Sequence, residues 1–119
     1  MFNHGNTIIM IDDTITKIEA RIQSAGAVSD ERKQELLQLL GTLKAEVNEL
    51  SKTHEEQAQS IAGFAELSTH EAIRSEQNPQ LLELSLQGLT SSVGEFEKSH
   101  PRLVQIVNSI SNTLSNLGI

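Results

Sequence analysis

Apolar residues recur along this chain at alternating steps of four and three, in two long runs. The first passes through Leu36, Leu40, Leu43, Val47 and Leu50, then His54 and Gln57, then Ile61 and Phe64. The second runs Leu82, Leu86, Leu89, Val93, Phe96, His100, Leu103, Val107, Ile110, Leu114 and Leu117. Such spacing keeps one stripe of a helix facing a partner helix. Between the runs stands Asn78-Pro79, a helix cap followed by proline at the first helical position, where a missing amide costs nothing.

The pattern predicts an all-α fold dominated by a long antiparallel helical hairpin of coiled-coil character. Helices are expected over about 12–24, 30–74, 79–99 and 101–117. The short first helix carries the stripe Ile11, Ile15, Ile18 and Ile22, with Asp12 and Asp13 at its start and Gly26 as a left-handed residue past its end. Ser29 is the expected cap of the second helix, with Asp30 and Glu31 in its first turn. An unbroken helix of about 45 residues would reach roughly 65–70 Å. At Pro101 two readings stand: Ser99 or His100 caps a new helix, or one helix continues through a kink.

The apolar face widens at Leu36, Leu37, Leu39, Leu40 and Leu43, and again from Leu103 to Ile110. A face that wide suits two partners, so the first helix is expected to complete a three-helix bundle at that end. Toward the far end, Ala58, Ala62 and Ala65 form a second stripe of small residues. It is the expected contact for self-association.

The length of 119 residues suits one domain, read as residues 11–119 after a flexible leader at 1–10, with Met10 an alternative natural start. An extended hairpin buries little surface, which favours a homo-oligomer, most simply a dimer. Nine Lys and Arg against 16 Asp and Glu give a formal charge of −7, which argues against nucleic acid or an anionic membrane as partner. No stretch is long and apolar enough for a membrane span, so the cytoplasm is the expected location. The chain has no Cys, and hence no disulfide framework or thiolate chemistry.

Three polar residues occupy seam positions: His54, Gln57 and His100. Facing layers of the hairpin pair when their residue numbers sum to about 150 or 157, judged by matching seam positions of opposite type. The first register sets His54 against Phe96 and His100 against Leu50; the second sets Gln57 against His100. The structural expectation is a polar layer that fixes register. A pH-responsive seam is a second possibility. The third is a small-ligand or metal-binding bundle using His54 and His100. Glu97 and His100 have the Glu-x-x-His spacing of di-iron bundles, but a second such motif is missing. No nucleophile elbow or phosphate loop is present, so no enzymatic activity and no cofactor are expected. A non-enzymatic interaction or scaffolding protein is the leading expectation.

The segment Phe96-Glu97-Lys98-Ser99-His100-Pro101-Arg102-Leu103, with the ending Asn116-Leu117-Gly118-Ile119, resembles a family of short bacterial proteins, the domain of unknown function DUF4404. The opening from Ile15 to Leu50 is similar too, whereas the middle, about 51–78, is longer than in that family. The resemblance implies a small helical cytoplasmic protein with no assigned activity. It also implies that Ser99, His100, Pro101 and Gly118-Ile119 belong to a shared structural device, a capped restart of the helix at Pro101 and a C-terminal cap with Ile119 docked on the bundle end.

Overall fold

The computed structural model describes residues 4–117. The described residues form five α-helices: α1 (His4–Ser24), α2 (Asp30–Ser51), α3 (Glu55–Ile73), α4 (Pro79–Val93) and α5 (Pro101–Leu117). A single 3-10 turn, Gly94–Phe96, follows α4. No strand occurs among the described residues. The molecule measures 41 × 25 × 22 Å, well short of the roughly 65–70 Å expected of an unbroken rod.

Contacts between elements fix their directions. Asn48 Nδ2 donates to Asp12 Oδ1, and Lys33 Nζ donates to the Gln23 carbonyl, so α1 and α2 are antiparallel. Thr7 Oγ1 donates to Glu55 and Arg21 donates to His70, so α1 and α3 run parallel. Ser68 Oγ donates to the Ser85 carbonyl between antiparallel α3 and α4. Thr113 Oγ1 donates to Glu35 between antiparallel α2 and α5. The result is an up-down-up-down-up bundle in which α3 touches all four other helices.

The long hairpin is therefore doubled over, which corrects the expected helices at 30–74 and 79–99. At the first fold, hydroxyls compete for the last carbonyls of α2: Ser51 Oγ donates to Asn48 O and Thr53 Oγ1 to Leu50 O. Glu55 and Glu56 then occupy the first turn of α3, where carboxylates complement the positive end of the helix. The second fold falls at Gly94, a poor helix former. Doubling back buries Ala58, Ile61, Ala62 and Ala65, each at most 2% exposed, which a rod leaves in water.

The first helix differs from expectation in both extent and partners. It opens at His4 rather than near residue 12, and Thr7 within it is buried. Asp12 and Asp13 lie mid-helix. The isoleucine stripe is fully buried, but α1 packs on α2 and α3 and makes no contact with α5. The expected three-helix end, with α1 against both hairpin arms, is thus replaced. Gly26 does not adopt a left-handed conformation; Ala25 N–H and Val28 N–H close the turn on Ile22 O and Ala25 O.

Several caps form as the sequence implies. Ser29 Oγ accepts from Arg32 N–H. Asn78 Oδ1 accepts from the amides of Gln80 and Leu81, with Pro79 first in α4. At Pro101 a new helix starts, with Val104 N–H donating to His100 O. Ser99 Oγ instead meets His100 Nδ1 at 3.0 Å. Gly118 and Ile119 lie outside the described residues.

Candidate functional site: the histidine layer and the α3–α4 face

The doubled hairpin gathers its seam histidines at the fold. The ring of Phe96 meets His54 edge-on at 5.1 Å between centroids, and meets His100 in the same manner at 5.7 Å. His54 thus faces Phe96, the pairing of the register summing to about 150. Phe96 is buried, while His54, Gln57 and His100 are half-buried. His54 is not inside a helix: it is the residue preceding α3, and its side chain makes no cap bond. Its Nδ1 lies 2.8 Å from Thr53 Oγ1. Among the described residues, no three His, Asp or Glu side chains are grouped closely enough to hold a metal ion.

Ala58, Ala62 and Ala65 are buried within the single chain. This corrects the expectation that the stripe lies on the surface of the folded chain, open to a second copy. Their small side chains let α3 approach its neighbours inside the bundle.

Apart from Ile9 and Met10 on α1, the large exposed apolar side chains of the described residues lie on α3 and α4, around the helix from that stripe. Phe64, Leu67, Leu81 and Leu84 are 36%, 45%, 43% and 55% exposed. All four line one groove of about 160 Å³ between α3 and α4, together with Glu71 and Ser85. The helices come close here because Gly88 has no side chain. A Cβ built on it would lie 2.4 Å from Phe64 Cε1. The Phe64 ring therefore rests on the bare backbone of α4. No periodic signal in the sequence marks Leu67, Leu81 or Leu84, because they lie off the seam. The surplus of Leu at 81, 82, 84 and 86 was the one available clue.

Polar groups gather at the edge of this face. Glu71 is 6% exposed, and its Oε1 accepts from Arg74 Nη1 at 2.8 Å. The pair holds a carboxylate in a nearly dry place, which a lone carboxylate would resist. Next to it, Arg21 Nη1 lies 3.0 Å from His70 Nδ1. A guanidinium only donates, so Nδ1 accepts and neutral His70 carries its proton on Nε2, which lies 4.0 Å from Glu71 Oε2. These side chains tie α1 to the end of α3 and leave one face of α3 and α4 to solvent. No helix of the described residues is long and apolar enough to cross a membrane.

Together these features define a small all-helical bundle whose seam histidines meet at a fold and in which Phe64, at the end of its seam, shares one exposed face with the off-seam Leu67, Leu81 and Leu84. The chain belongs to the family described as Domain of unknown function (DUF4404), whose model matches residues 36–119. The match begins inside α2, so α1 lies outside it. No curated protein and no solved structure matches the chain.

Proposed function

We propose that this protein is a non-enzymatic helical interaction module of the bacterial cytoplasm that self-associates, as a dimer, through the α3–α4 face. The observation that carries this reading is the groove shared by Phe64, Leu67, Leu81 and Leu84. Contiguous exposed apolar surface on a soluble chain of this size marks a contact site. A two-fold contact needs a self-complementary patch. A groove between antiparallel helices, with Phe64 and Leu67 on one wall and Leu81 and Leu84 on the other, meets that need.

Sedimentation equilibrium tests it. The wild type is expected to dimerise at tens of micromolar, and Leu67→Lys with Leu84→Lys to remain monomeric with unchanged helicity. A monomeric wild type at high micromolar concentration would refute self-association, and a double variant that still dimerises would move the contact elsewhere.

A further inference from the structure

The apolar seam crosses both folds without losing step. Leu50, His54, Gln57 and Ile61 keep the spacing on one arm; Val93, Phe96, His100 and Leu103 keep it on the other. Contacts across the arms occur on either side of the folds as well as at them: Glu35 meets Thr113, His54 meets Phe96, and Ser68 meets Ser85. The α3–α4 hairpin is thus one unit hung on two hinges at the same level, residues 52–54 and 94–100.

The first hinge is already close to helical. Lys52 has φ −64° and ψ −27°. His54 N–H donates to Leu50 O at 2.9 Å, and Ala58 N–H donates to His54 O at 2.9 Å. Helical bonding runs up to His54 and away from it, and His54 itself, at φ −137° and ψ 68°, turns the chain. We propose that this hinge straightens to fuse α2 and α3 into one helix, and that two chains opened in this way exchange α3–α4 hairpins to form a swapped homodimer.

Each hairpin would then find on the second copy the contacts it leaves on its own. The buried alanines of α3 meet the partner's helices, and the Arg21 to His70 contact is remade between chains. Because the swap recreates existing packing, its net cost resides in the hinge and in lost independence of two chains. The second hinge stays a loop in both forms, since Pro101 cannot continue a helix from α4. This exchange goes beyond the face contact proposed above and leaves the α3–α4 groove exposed in either form.

Crosslinking separates the two kinds of dimer. The natural chain has no Cys, so Arg21→Cys with His70→Cys supplies the only thiols, one on α1 and one on α3. After incubation at high concentration and treatment with a short bismaleimide, swapped molecules give covalent dimers on a denaturing gel. Folded-back chains, and dimers formed only through the groove, give internally linked monomers. Introducing His54→Leu should raise the covalent dimer about tenfold, the residue 52–54 hinge of each of the two chains contributing a factor of about three through better helix propensity. Glu55→Pro should abolish it, because proline is accepted at the first position of a helix but stops one from running through. A Gly-Ser-Gly insertion after Thr53 should do the same without touching Glu55. Internal crosslinks alone in the parent and in His54→Leu, with helicity retained, would overturn the proposal, as would an equal yield of covalent dimer from the inserted-hinge variant.

Discussion

Adding one methyl group at each of three helix glycines tests how the α3–α4 face is built. Gly41 and Gly63 lie on exposed helix surface, and a Cβ at either position meets nothing within 4 Å. Gly41→Ala and Gly63→Ala should each stabilise the fold by about 1 kcal/mol, the usual helix preference of Ala over Gly. For a chain of this length that is a rise of about 4 °C in Tm. Gly88→Ala starts from the same gain but places its methyl 2.4 Å from Phe64 Cε1, so the ring must move. A twist off its rotamer costs about 0.5–1.5 kcal/mol. Swinging the ring clear forfeits its burial, worth about 1–2 kcal/mol for a Phe that is 36% exposed. Gly88→Ala should therefore lie between about 0.5 kcal/mol stabilising and about 1 kcal/mol destabilising, about 0.5–2 kcal/mol below Gly41→Ala. Urea melts followed by circular dichroism measure all three. In a Phe64→Ala background the clash is gone, and Gly88→Ala should recover its full gain. If Gly88→Ala stabilises equally in both backgrounds, the Phe64 ring does not rest on α4, and the groove described here is wrong.

Two further substitutions probe the interior. Ser111 Oγ is buried without a hydrogen-bond partner among the described residues, so Ser111→Ala should raise stability by up to about 1 kcal/mol by removing a desolvated hydroxyl; a loss in urea melts would reveal a partner. Phe96→Ala should cost about 3–5 kcal/mol as a large core truncation. It should also shift the imidazole proton resonances of both His54 and His100, and unmoved signals would contradict their shared contact with Phe96.

The core was legible from periodicity alone. Leu36, Leu40, Leu43, Val47 and Leu50, and Leu103, Val107, Ile110 and Leu114, are all buried where their spacing puts them. Matching one seam to the other left two registers open, and the contact of His54 with Phe96 fits the one summing to about 150. Direction at the folds did not follow, because a heptad seam reads the same through a hinge as through a helix. The local signs were weak: Ser51 and Thr53 ahead of Glu55 and Glu56, and Gly94 after Ser91 and Ser92. Each is tolerated inside helices, and only the burial of the Ala58, Ala62 and Ala65 stripe tips the balance. That burial is a tertiary effect, which no local window contains. The same stripe, seen without the fold, resembled an intermolecular contact. The exposed groove has no periodic signature in the sequence, since Leu67, Leu81 and Leu84 lie off the seam.

The pairing of α2 with α5 has a consequence for how the protein is made. Glu35 and Thr113 meet across 78 residues of chain, whereas the other neighbouring helices can pair soon after each is synthesised. During translation α1 to α4 emerge first and can fold on one another, but the flank of α2 that α5 covers stays open until the 17 residues of α5 leave the ribosome. A messenger truncated before α5, or a nonsense change within it, would thus release a chain with much of its helix formed and its central leucine seam uncovered. Such a product is what cellular proteases and chaperones select for removal. The α5 helix thus closes the one side of α2 that α1 and α3 leave open.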